Sequence, residues 1–421
     1  MTTPTPTRSL PWWLIVLVMV TLPLVLYNYP DIYQDLPEVW KHRRGSFRVI
    51  FEMNYPTWWT SFILFAAALL FLESAYIRNH SSPSTCWLLA LLVTGLSYDE
   101  AGSIHERVSL LSMDWFDSPW TGLSPFALAG IFALIYGLIG LSRMAGGRRV
   151  IVFIVSGFAL FALVVVQEYL EHHRDFSKFI SMTLGITNAG SRSLEEVTEM
   201  IGAILVLTGA ALVRNGGAFD SRLGFVLVRP SNIPNLVSLL LIGLVVHSVI
   251  AFYFLPDTLE LTVRGNPAGW YPSAVFFILF THAYWQFHSL PEAQTGIAPA
   301  PGNPDPLITV GWLFLSFFFL LCSIGFMHNF GHVIADAIPG ISKPFYFNPS
   351  VIYSAIIGSV IVFMLWLELF SGKRLIYLVL LLGAPFLEFY LHDRGAPFAA
   401  SGVTSFLIAG LFLSSSAQNS G

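Results

Sequence analysis

About twelve apolar runs, each long enough to cross or nearly cross a bilayer, recur along these 421 residues. They constrain the fold more than any other feature. They lie near residues 12–28, 58–77, 84–98, 125–142, 150–170, 195–213, 234–254, 270–288, 307–327, 350–370, 375–391 and 397–414. Inside hydrocarbon a segment must satisfy its backbone N–H and C=O groups internally, so runs of this length fold as helices. The surrounding composition agrees: the chain is 55% hydrophobic and only 11% charged, too apolar for a soluble domain. The expectation is an all-α, polytopic helical membrane protein with the lipid bilayer as its main partner. A net charge of −4 argues against nucleic acid as a partner. Cys86 and Cys322 lie inside apolar runs without CxxC spacing, which excludes a disulfide framework and a cysteine metal site. The first run, Trp12–Tyr27, lacks a small-residue cleavage site and reads as the first span rather than a signal peptide.

Basic residues orient the runs. Arg143, Arg148 and Arg149 follow the fourth, Arg214, Arg222 and Arg229 the sixth, and Lys373–Arg374 the tenth. Short loops of this kind face the cytoplasm, which places both termini there. Lys41, Arg43, Arg44 and Arg48 run against the rule, but in a long loop among acids. Of the 25 acids, only Glu73, Asp220, Glu292, Asp305 and Glu368 then fall on the cytoplasmic side. The opposite face is acidic and favours cations or cationic head groups.

Two pairs of strings recur in the same order. Asn54–Ser61 (NYPTWWTS) and Asn266–Ser273 (NPAGWYPS) share Asn, Trp at i+4, an aromatic at i+5 and Ser at i+7. Glu168–Arg174 (EYLEHHR) and Glu388–Arg394 (EFYLHDR) share Glu, His at i+4 and Arg at i+6. A polar stretch with Gly216–Gly217, Pro230 and Pro234 divides the chain. The reading is two six-helix membrane units, 1–215 and 230–421. Six runs in each keep both halves in one orientation, so the repeat is parallel.

The first half carries three acidic clusters: Asp99, Glu100, His105 and Glu106 after the third run; Glu168, Glu171, His172 and His173 ending the fifth; and Glu195, Glu196 and Glu199 opening the sixth. Loop charge maps all three to one face. If helical, Asp99, Ser103 and Glu106 share a side while Glu100 and His105 point elsewhere. So many carboxylates at a low-dielectric boundary require either protonation or a compensating cation. Carboxylate with imidazole suits Zn, Fe or Mn. The candidate ligands are Asp99, His105, Glu106, Glu168, His172, Glu195 and Glu199, and Asp99, Glu106, Glu168, His172 and Glu199 are expected to meet in one polar pocket. Helical di-metal proteins use Glu-x-x-His, whereas Glu168 and His172 form Glu-x-x-x-His, so the pattern suggests a metal but not a di-iron centre. Plainer readings exist. Ser193-Leu-Glu-Glu196 resembles a capping box, and Arg107, Arg174 or Arg192 could pair with neighbouring acids. In the second half, His328, His332 and Asp336 share a helical stripe at zinc-type spacing, and Glu388 and His392 end the eleventh run. The twelfth run opens without a counterpart of Glu195–Glu199, so a second-half site would be altered. His247, His282 and His288 read as core histidines ahead of haem ligands.

The strings NYPTWWTSFILFAAALL, LSYDEAGSIHE and LEEVTEMIGAILVL resemble those of an uncharacterised group of bacterial multi-pass membrane proteins. In that group a Thr-Trp span start, a Leu-Ser-x-Asp-Glu…His-Glu string and a Leu-Glu-Glu…Glu-Met-x-Gly string recur in order. The matching positions are Thr57, Trp58, Asp99, Glu100, His105, Glu106, Glu195, Glu196, Glu199 and Gly202, and Tyr98 stands where the group often has Leu. The resemblance covers roughly the first half. It implies that the acidic strings form one unit in a bacterial inner membrane, and it carries no activity.

Three functions remain open: a metal-dependent membrane enzyme acting on a lipid-linked or periplasmic substrate, a proton- or cation-coupled transporter, and a cofactor-binding subunit of a larger complex. Carriers hold substrate near the midplane, whereas the charge here gathers at one face, which favours the first. The orientation makes a direct prediction. Cysteines introduced at Ser118 and Asp257 should react with an impermeant maleimide added outside, while those at Gly147 and Gly372 should not. Labelling of Gly147 from outside would reverse the topology.

Overall fold

The computed structural model describes residues 12–27, 55–77, 82–102, 119–144, 146–171, 188–218, 238–246 and 270–292, with isolated residues at 236 and within 104–113 and 310–323. By internal contacts the chain divides into two compact units, Met1–Leu223 and Gly224–Gly421. The described residues include the helices α1 (Trp12–Tyr27), α2 (Tyr55–Ile77), α3 (Pro83–Gly102), α4 (Pro119–Ser142), α5 (Gly147–Glu171), α6 (Asn188–Arg214) and α7 (Trp270–Glu292). The described residues contain no strand. Four helices among them hold stretches long and apolar enough to cross a membrane: Thr57–Tyr76, Thr121–Ser142, Gly147–Gln167 and Leu194–Arg214. The runs beyond residue 292, and the second copy of the Glu–His–Arg string with them, lie outside the described helices.

In unit 1, α2 is central. It packs against both α3 and α6, and α5 packs on α6. The α2 span is 83% buried, against 6% for the α4 span. Ile63, Leu64, Leu70 and Phe71 on α2 are wholly buried. The exposed large side chains, such as Phe126, Ile131 and Phe132 on α4 and Val152, Val165 and Val166 on α5, are apolar too. A surface with such patches suits lipid rather than water. Lipid tails remove the hydrophobic drive between helices, so close packing and hydrogen bonds must hold them together.

The sequence supplies small residues where that closeness is needed. Gly130, Gly137 and Gly140 of α4 abut Leu92, Leu89 and Thr85 of α3. Gly157 of α5 lies against α6, where an added Cβ would stand 2.7 Å from Val206 Cγ2 and 2.8 Å from the Gly202 carbonyl oxygen. Polar links add register. Ser61 and Ser97 clasp α2 to α3, and Trp59 donates to Thr21 of α1. In unit 2, α7 makes hydrogen bonds of its own to Leu240, within the helical stretch 238–246, and to Ser323.

The basic end of unit 1 is closed by turns. After α6, Gly217 N–H donates to the Leu212 carbonyl at 2.7 Å and Gly216 N–H to that of Val213 at 3.2 Å. This is a Schellman closure, and Gly216 and Gly217 take the positive φ it requires (64° and 87°). Gly146, in the α4–α5 turn with φ 72°, packs beside it, and a Cβ there would meet Gly217 Cα at 2.9 Å. At the same end, buried Glu73 of α2 pairs with Arg214 of α6 at 2.9 Å. Removing one member of such a buried pair leaves a charge stranded, at a cost of about 3–5 kcal/mol.

The helix contacts predict a graded response. Gly157→Val should lower the thermal midpoint in detergent, corresponding to a loss of about 1–3 kcal/mol from overpacking. Gly95→Ala, where a Cβ meets nothing within 4 Å, should not lower it. Equal behaviour of the two variants would count against a tight α5–α6 contact.

Candidate metal centre

Three carboxylates meet at the opposite, acidic end of unit 1. Glu100 stands in the last turn of α3, and Glu196 and Glu199 in the first half of α6. One carboxylate oxygen of each lies within 4.8 Å of the others, and all three residues are half-buried. Local sequence explains the geometry. Glu196 and Glu199 are i, i+3 and share a helix side. Glu100 follows Ser97 by three residues, and the Ser97–Ser61 clasp sets the level of α3 against α2. Because α6 also packs on α2, its acids come to the same end.

Charge differs between the ends. Arg143, Arg148, Arg149 and Arg214 lie at the basic end, whereas Arg192 stands in the second turn of α6, toward the acids. Arg214 is fifteen positions along α6 from Glu199, roughly 22 Å at the helical rise. Glu100, two residues past the apolar run 84–98, is held well above the ordinary carboxylate range. Burial is the main cause, followed by the charges of Glu199, Glu196 and Asp99, while His105 acts in the opposite sense. The three carboxylates could hold a divalent cation, and an all-carboxylate set suits hard, oxygen-preferring ions such as Mg, Ca or Mn.

Asp99 does different work from Glu100. Its Oδ1 accepts the His105 backbone N–H at 2.7 Å, and His105 Nδ1 lies 3.1 Å from both carboxylate oxygens. α3 ends at Gly102, and the bond from His105 to Asp99, six residues apart, does not follow the helical wheel behind the sequence reading. A carboxylate holding Nδ1 is also how metal-bound histidines are oriented, with Nε2 left as ligand.

Of the residues read from sequence, Glu199 is in the triad, Asp99 and His105 form the adjoining pair, and Glu195 precedes Glu196 on α6. Glu168 is in the last turn of α5, and its side chain is not described. Glu106, His172, His328, His332, Asp336, Glu388 and His392 lie outside the described residues. Glu100 and Glu196 complete the triad, although the sequence reading left them out of the ligand set. The capping-box reading of Glu196 is overturned: α6 begins at Asn188, so Ser193 is already helical and Glu196 lies two turns inside. The i, i+3 spacing of Glu196 and Glu199 was the usable signal. His282 is wholly buried in α7.

Residues 12–213 match a family model described as Domain of unknown function (DUF8692). The match runs from α1 through nearly all of α6 and contains the whole triad. It is in keeping with the resemblance to an uncharacterised group. No curated protein and no solved structure matches the chain.

The electrostatics predict a pH dependence. Folding raises the Glu100 pKa, so its contribution to stability is fully present below the ordinary value of 4.5 and is lost as pH rises through the raised value. With chelator present, the thermal midpoint should fall over that window. Glu100→Gln should flatten the fall, so the wild-type-minus-variant difference isolates this group. Parallel curves for the two proteins would contradict the assignment.

Proposed function

We propose that this is an integral membrane protein whose first unit binds a divalent cation at its non-cytoplasmic face through Glu100, Glu196 and Glu199. The observation that carries the reading is the convergence of three half-buried carboxylates from two helices within 4.8 Å. Asp99 and His105 adjoin the centre, and Glu106, Glu168, His172 and Glu195 are the further candidates to complete it. Zn or Fe fits if imidazole joins the shell, and Mn fits either way.

The chemistry would be that of a metal-dependent enzyme on a lipid-linked or periplasmic substrate. A bound cation at that face supplies Lewis acidity or an activated water, and the protein's acids hold and orient it. The proposed setting is a bacterial inner membrane, with about twelve spans in two parallel six-helix repeats and both termini cytoplasmic.

Metal analysis of detergent-purified protein tests the reading. Mn²⁺ or Zn²⁺ should co-purify or rebind after chelation. Glu100→Gln and Glu199→Gln should each lose the ion together with the thermal stabilisation it confers, because ion binding is linked to folding. Thr198→Ala, on the exposed side of α6, should keep both. If wild-type protein binds no ion, and Arg107→Ala or Arg192→Ala destabilises it instead, the cluster is a structural ion-pair network.

A further inference from the structure

Units 1 and 2 make the same two contacts from the same positions of their matched strings. In unit 1 the aromatic two residues before Ser61 is Trp59, whose Nε1–H donates to Thr21 Oγ1 of α1 at 2.8 Å. In unit 2 the aromatic two residues before Ser273 is Tyr271, whose hydroxyl donates to the Leu240 carbonyl at 2.8 Å. Thr21 belongs to the first apolar run of its half of the chain, and Leu240 to the first of the other.

The serines then reach the third run of each half. Ser61 Oγ donates to the Ser97 carbonyl at 2.8 Å and Ser97 Oγ returns to the Ser61 carbonyl at 2.8 Å, with the two hydroxyl oxygens 3.0 Å apart. Ser273 Oγ donates to the Ser323 carbonyl at 2.7 Å and Ser323 Oγ to that of Ser273 at 2.9 Å, again with the oxygens 3.0 Å apart. A reciprocal bond of this kind forms only where two helix backbones approach within reach of a serine side chain, so it sets both spacing and level. Burial follows the same register. Ile63 and Val275, Leu64 and Phe276, and Ala67 and Leu279 are each no more than 1% exposed.

We infer that each of the two units contains a copy of one three-helix module. Its middle helix is hydrogen-bonded through an aromatic to the first helix and clasped through a serine to the third. The recurring Trp-aromatic-x-Ser string is the sequence trace of those two contacts. Beyond the clasp the copies diverge. Asp99 and Glu100 follow Ser97 at two and three residues, whereas Gly325 and Phe326 follow Ser323 at the same spacing. Given the cation-binding reading above, on which this step rests, the chain carries one carboxylate centre of this kind, and the second module is a scaffold without it.

Cysteine cross-linking in native membranes decides the module. In a Cys86→Ala/Cys322→Ala background of the full chain, the pairs Ser61→Cys/Ser97→Cys and Ser273→Cys/Ser323→Cys should both form disulfides on mild oxidation. Pairs shifted by two residues, Ser61→Cys/Gly95→Cys and Ser273→Cys/Leu321→Cys, should lose them. A disulfide in the first matched pair only, or equal cross-linking of the shifted pairs, overturns the inference. If a cysteine pair does not accumulate, Ser61→Ala and Ser273→Ala should lower the thermal midpoint by similar amounts, and a fall confined to one of them overturns it too. Mn²⁺ titration separates the two readings. Two equivalent sites per chain, one surviving Glu100→Gln, would contradict the asymmetry. Absence of Mn²⁺ binding would remove the proposed function and leave the cross-links to decide the module.

Discussion

Helices in lipid cannot be driven together by burying apolar surface, because the surface they leave is as apolar as the one they gain. What remains is close packing and a few hydrogen bonds, and unit 1 depends on both. Gly157 admits α6 to near contact with α5, while α6 also lies along α2. Ser61 and Ser97 bring α3 against α2 as well. The positions of Glu100, Glu196 and Glu199 follow from these contacts. No loop is needed to bring the acids together, since α2 holds both helices that carry them.

The two ends of α6 face opposite electrostatic problems. At the basic end a single buried pair, Glu73 and Arg214, neutralises itself, and a Schellman turn closes the helix carbonyls. At the acidic end three carboxylates crowd one another. Like charges at such separation raise each other's cost of ionisation in partly buried surroundings. A bound cation resolves that cost, and the same crowding makes the end sensitive to protonation when no cation is present. One helix therefore carries an ion-paired end and an end whose acids could hold a cation.

Much of this architecture was legible in the sequence. The apolar runs marked the helices, with α2, α4, α5 and α6 each overlapping a run. The matched strings around Ser61 and Ser273 each hold the serine of an interhelical contact. The candidate centre was only partly legible. Glu199 and the acidic ends of α3 and α6 could be read from position, but a helical wheel assigned Asp99 rather than Glu100 to the site. That wheel assumed one helix continuing through Glu106, whereas α3 ends at Gly102. Likewise Ser193 resembled a cap because the apolar run begins near it, yet the helix extends upstream to Asn188 through polar residues.

The sequence by itself determined the class, the helical segments and the gathering of acids at run ends, because hydropathy and backbone hydrogen bonding are properties of each segment alone. Only the tertiary structure decided which carboxylates meet. That depends on the rotation of α3 and α6 about their own axes, which is set by where Gly157, Ser61 and Ser97 allow backbones to approach. A residue's neighbours across a helix interface are not encoded in its own segment. Glu100 therefore turned from an acid outside the expected ligand set into a member of the triad only when α3 was packed against α2.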